Sequence, residues 1–132
     1  MLYAVLCYNN EDITASWTKE EDDMVMARLA TVTDRLDKAG KLGPVARLMP
    51  TTAATTLRKG GYGKRLEPGP EPPVVTDGPF AETKEQLLGF YVIQCSDLEE
   101  ALDVARELGH ANPGGAYEIR PVSLFLPGSK VA

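Results

Sequence analysis

Asp77, Gly78, Pro79 and Phe80 place a carboxylate at the mouth of a stiff bend. Pro79 fixes its own φ and pushes Gly78 out of the helical region, so the chain must enter extended and then turn. A carboxylate held there has two uses. It can accept hydrogen bonds from backbone N–H groups around the bend, as an Asx-type cap. It can instead stand at the mouth of a cavity as a general base or as an anchor for a ligand. In the second case proton-transfer chemistry of the lyase or hydrolase kind fits a lone carboxylate best. Tyr3 or Tyr91 would then supply a hydroxyl, Arg58 would hold an anionic ligand, and Phe80 would wall the pocket. A non-catalytic module that binds a small ligand or a regulatory protein needs no base, and a turn that serves fold and interface geometry alone needs no ligand.

Other chemistry-bearing patterns lead elsewhere. Gly60 to Arg65, GGYGKR, has the look of a phosphate loop, yet Arg58 stands where a Walker A motif needs its first glycine and Arg65 where it needs Ser or Thr. A turn at a loop tip is the expectation there. The single histidine, His110, excludes a two-histidine zinc motif and is expected just past a helix end, where the dipole favours a cation. Cys7 and Cys95 each end an apolar strand and belong to no CxxC pair, so they are expected as buried free thiols. No cofactor and no metal is expected. A formal charge of −5 argues against nucleic-acid and anionic-membrane partners, which select basic faces. No apolar run approaches the ~20 residues of a membrane span. Met1 to Tyr8 lacks the basic start of a signal peptide and reads as a first strand, which makes a cytoplasmic location the expectation.

The elements that must position the turn follow from spacing. Leu2 to Tyr8 suits a strand and is broken by Asn9 to Asp12. Thr18 and Glu21 form a capping box, Val25, Leu29, Val32 and Leu36 share one helical face, and Gly40 ends that helix. Val45 to Leu48 is a short strand, Thr55 to Leu57 is extended, and Lys59 to Pro73 is a Gly/Pro-rich loop whose core-forming residues are Tyr62 and Leu66. Val74 to Thr76 is extended again, and Leu87 to Cys95 is the strongest strand. A second capping box, Ser96 to Glu99, opens a helix with Leu98, Ala101, Leu102, Ala105 and Leu108 on one face, closed by Gly109. Tyr117 to Val122 is the last strand, and Pro121 puts it near an edge or an end.

One domain over residues 1–132 results, of α+β class: a split βαβ, ferredoxin-like arrangement with a hairpin inserted between its halves. Right-handed crossovers place both helices on one face of an antiparallel sheet. LYAVLC and LLGFYVIQC are apolar at odd and even positions alike, so both faces of those strands call for burial. Two helices cover one face. A second copy of the chain is the expected cover for the other, in preference to the loop Lys59 to Pro73, which has too little apolar surface. In this topology Cys7 and Cys95 fall at opposite ends of neighbouring strands, beyond disulfide reach.

The string VTDGPFAETKEQLLGFYVI, with TTAATTLR before it and YEIRPV near the end, resembles the DGPF-type members of the YciI-related (YCII) family over nearly the whole chain. The resemblance implies a ferredoxin-like domain of the dimeric α/β-barrel kind, a homodimer, and a pocket beside each sheet. It also implies a His–Asp catalytic pair of the kind proposed for shorter relatives, one of which is a dehydrochlorinase. The histidine of that pair belongs to the first helical region, and the helix TKEEDDMVMARLATVTDRLDKAG contains none. The general acid/base proposed for those relatives is therefore missing from this helix. The resemblance further implies a regulatory setting near extracytoplasmic-function sigma factors.

Overall fold

The computed structural model describes residues 1–61 and 65–131. Tyr62 to Lys64, half of the turn expected at Gly60 to Arg65, lie outside the described residues. The elements in chain order are β1 (Leu2–Asn9), α1 (Glu11–Ala15), α2 (Lys19–Lys38), β2 (Leu42–Arg47), a 3-10 turn at Thr51–Ala53, β3 (Thr55–Arg58), β4 (Val74–Asp77), β5 (Gln86–Gln94), α3 (Leu98–Ala111) and β6 (Ala116–Pro121). The four long strands form one antiparallel sheet in the order β2-β5-β1-β6, and β3 and β4 form a separate two-stranded hairpin. That order and direction are those of a ferredoxin-like α+β fold, and the sheet does not close into a barrel.

Local chemistry accounts for most boundaries. Thr18 accepts from the Glu21 N–H and Glu21 reaches back to the Thr18 N–H, which fixes the start of α2, and Gly40 at φ +70° ends it. Pro44 is tolerated because β2 is an edge strand with an irregularity between Leu42 and Val45, and Pro121 because β6 is the other edge. Three sequence expectations need correction. Residues 9–12 do not merely break β1, since Asn10 caps the short helix α1. The cap of α3 is Asp97, whose side chain accepts from the Glu100 N–H, one residue later than the Ser96 box. The helix then runs through Gly109 to Ala111, which puts His110 inside its last turn.

The core lies between the sheet and the two long helices. Tyr3 and Val5 of β1, Tyr91 and Ile93 of β5, Val25, Leu29 and Leu36 of α2, and Ala101, Val104 and Leu108 of α3 form one buried cluster. The alternate residues point the other way. Ala4 pairs with Val92 and Leu6 with Phe90 on the face that carries no helix, and Ala4, Leu6 and Phe90 remain partly exposed. The Gly/Pro-rich loop does not bring Leu66 onto this face, for that side chain is 90% exposed. Both cysteines are free, Cys7 opposite Gly89 and Cys95 hydrogen-bonded through its N–H to Met1 at the far end of β1. Burial pushes the Cys7 thiol up to about 11 and raises that of Cys95, so neither is poised as a nucleophile at neutral pH.

Lys41, just past α2, ties the two helices together by donating to Glu100 at 2.7 Å. That bond, with the Ser96 hydroxyl and N–H, holds the Glu100 carboxyl down to about 2. A carboxyl depressed in the folded state stabilises fully above its unfolded value, and that contribution is lost as pH falls through the folded one. Glu100→Gln is therefore expected to melt below wild type by a constant margin from about pH 4.5 up to the alkaline range where Lys41, itself raised by this pair, loses its proton; the margin closes between about 4.5 and about 2. The margin is small because the pair is half exposed. Circular-dichroism melts across this window check it.

Candidate functional site

The turn that carries Asp77 leaves the end of the hairpin. β3 and β4 pair in the register Thr55 with Asp77, Thr56 with Thr76, Leu57 with Val75 and Arg58 with Val74. Gly78 bends the chain at φ +96°, a conformation only glycine adopts without strain. Its N–H donates to the Ala54 carbonyl at 2.8 Å, and its carbonyl accepts from the Thr56 hydroxyl at 2.8 Å. The bend is thus pinned by backbone and Thr56. The Asp77 side chain is exposed and accepts no hydrogen bond among the described residues, so the Asx-type cap expected from the sequence does not form.

Directly opposed residues of an antiparallel pair share a face, and faces alternate along each strand. Asp77, Thr55, Leu57 and Val75 therefore occupy one side of the hairpin, and Arg58, Val74, Thr56 and Thr76 the other. Phe80 joins the second group, with the Arg58 guanidinium 5.0 Å from its ring centre. Such a stack covers one guanidinium face and leaves its N–H edges free for an anion. Tyr3 and Tyr91 lie in a different place, inside the core between sheet and helices. Burial first, and the neighbouring Cys7 second, push the Tyr91 phenol up to about 12. The five residues singled out from sequence thus form two sets. Arg58 and Phe80 stand together and Asp77 stands across the same hairpin, while Tyr3 and Tyr91 pack beneath the sheet.

A clamp at the base of the insert was not visible in the sequence. The Glu11 carboxylate accepts from the Thr51 N–H at 2.8 Å and from the Thr51 hydroxyl at 2.7 Å, where the insert begins. The Glu11 N–H donates at 2.9 Å to the side-chain carbonyl of Gln86, where it ends, and the Gln86 amide donates to the Thr83 carbonyl. One residue of α1 thereby holds both roots of the hairpin. These partners are 40 and 75 positions from Glu11, a separation that no local pattern encodes.

A four-stranded antiparallel sheet with two helices on one face, and an added hairpin bearing an exposed carboxylate, defines a small α+β domain of ferredoxin-like type. The chain belongs to the YCII-related family, whose domain matches residues 1–126. It is also similar to the uncharacterized protein R00369 of Rhizobium meliloti (strain 1021), with 59% identity over 129 residues that cover 97% of each chain. Among the described residues no helix is long and apolar enough to cross a membrane.

Proposed function

We propose that the protein is a homodimer that binds a small organic molecule against the inserted hairpin, with Asp77 as its polar anchor. The observation that carries this reading is the bareness of the hairpin. Leu57, Val74, Val75 and Phe80 are all more than half exposed. A two-stranded hairpin has marginal stability alone and needs a covered apolar face. Leu57 and Val75 supply an apolar wall beside the carboxylate, and a second copy supplies the cover. A hydroxyl donating to Asp77 with its carbon skeleton on that wall fits this side. Arg58, steadied by Phe80, would take an anionic group on the other side. Tyr3 and Tyr91 have no part in it, since their rings are enclosed by the helices.

The unbonded state of the Asp77 carboxylate favours a second reading, in which it acts as a base in lyase- or hydrolase-type proton transfer. A thermal-shift screen of wild type and Asp77→Asn separates the two, with small carboxylic acids, hydroxylated aromatics and dienoates as the panel. Without ligand the two proteins are expected to melt alike, within about 0.5 kcal/mol, because no hydrogen bond is lost. A ligand that stabilises wild type and loses its effect in the variant supports binding by Asp77. Equal stabilisation with turnover only in wild type supports the base. A panel without hits, or hits indifferent to Asp77 in both affinity and turnover, overturns the proposal.

A further inference from the structure

The seam between α2 and α3 is closed by acid–base pairs in a regular order. The α2 side supplies the cations and α3 the acids, with Lys41 on Glu100 and Arg35 on Glu107. Glu100 and Glu107 are two turns apart on α3, and Arg28 and Arg35 are two turns apart on α2. The order leads to a third rung at Arg28. There α3 presents Arg106 and His110, beside an open groove of about 860 Å³ that Thr31, Val32, Ala111 and the carboxylate-bearing Glu107 also line. The hydrogen bond that Arg28 makes among the described residues is to Met24 Sδ of its own helix, at 3.4 Å. Glu107 in the groove wall is engaged by Arg35, and Asp103 by Arg106 at 2.8 Å.

We propose that this groove is a binding site for the oxyanion of a small molecule, a phosphate or carboxylate that takes the place of the third acid. The guanidinium groups of Arg28 and Arg106 donate charge-assisted hydrogen bonds to it, and the Thr31 hydroxyl and His110 imidazole stand beside it. Val32 and Ala111 offer an apolar floor to whatever carries the anion. The site is separate from the hairpin, and neither depends on the other. It gathers positive charge locally in a chain whose formal charge is −5, so the attraction must come from contact rather than from the field of the whole molecule.

His110 is the only histidine in the sequence, so its imidazole C–H signals in a proton NMR spectrum report on the groove without assignment. The protein would be titrated with inorganic phosphate and, separately, with benzoate, at fixed pH and ionic strength, with chloride as reference. The expected result is a saturable shift. Phosphate alone would identify a phosphate site, and benzoate alone a carboxylate site that uses the apolar floor. Arg28→Gln, an exposed position where folding is not at stake, should raise the dissociation constant at least about fivefold, with Arg28→Lys in between. A shift that merely follows chloride would overturn the site, as would a saturable one that neither Arg28→Gln nor Arg106→Gln weakens.

Discussion

Ile93→Ala is expected to lower the free energy of unfolding by about 3 kcal/mol, within the 2–5 kcal/mol range for truncating a buried isoleucine. Ile93 is fully buried and sits opposite Tyr3 on one side and Leu42 on the other, so three strands meet at its side chain. The helices Lys19–Lys38 and Leu98–Ala111 close over the same cluster. Both are pinned to the sheet and to each other, which limits how far they can collapse into the space left behind. Against a total stability of about 5–15 kcal/mol, such a loss is easily read from urea denaturation at a fixed protein concentration. A cost under about 1 kcal/mol would mean that Ile93 is not at the centre of the core. The hairpin lies outside that cluster, so the ligand binding proposed for it should survive the substitution below the melting temperature.

Gly89→Val is expected to act on the hairpin and the sheet together. Gly89 is buried in the strand Gln86–Gln94, opposite Cys7 on one side and Arg47 on the other. A Cβ built there would overlap the Ala46 carbonyl oxygen and come within 3.3 Å of the Arg47 Cα. Both of these are backbone atoms, which cannot rotate away, so the edge strand Leu42–Arg47 must shift outward. Overpacking of this kind costs about 1–3 kcal/mol. The displacement falls where Leu48 N–H bonds to the Leu88 carbonyl, at the point where the insert departs. The Leu48 amide should therefore exchange faster than in wild type by more than the global loss of stability explains. Equal exchange and an unchanged urea midpoint would show that the two strands do not approach as closely as described.

What could be read from the sequence was whatever is encoded locally. The helix Lys19–Lys38 carries its own start, Thr18 and Glu21, its own face, Val25 to Leu36, and its own stop, Gly40. The strand Gln86–Gln94 is a long apolar run, and the bend at Gly78 follows from the residue beside Pro79. The five-residue helix Glu11–Ala15 was hidden because one turn shows no periodicity. At the start of the third helix Ser96 and Asp97 are both good caps, and Asp97 prevails while Ser96 bonds instead to Glu100. Gly109 reads as a terminator, yet the helix continues to Ala111, which is itself buried in the core.

The candidate site was legible only in its parts. Asp77, Arg58 and Phe80 were identifiable by type, but which of them share a face depends on the register of Thr55–Arg58 against Val74–Asp77. A tight two-residue turn would have fixed that register, whereas the long connection between these strands leaves it open to other forces. Tyr3 and Tyr91 sit at inward positions of strands that are apolar throughout, so no alternation revealed which way their rings point. The Glu11 clamp and the groove beside His110 join residues remote in sequence, and each exists only once the sheet and the helix pair have formed.

The roots of the hairpin meet at a place where the sheet already runs from one strand to its neighbour. Arg47 ends one strand opposite Gly89 of the next, so everything between Leu48 and Glu85 is a detour from a junction that a few residues could close. The insert is in that sense an attachment. Its entry and exit are fastened by Glu11 at the rim, and among the described residues the principal core cluster contains none of its side chains. Substitutions in the hairpin can accumulate with little penalty to folding, because hairpin and core draw on different residues. A single scaffold of this kind can present many different hairpins.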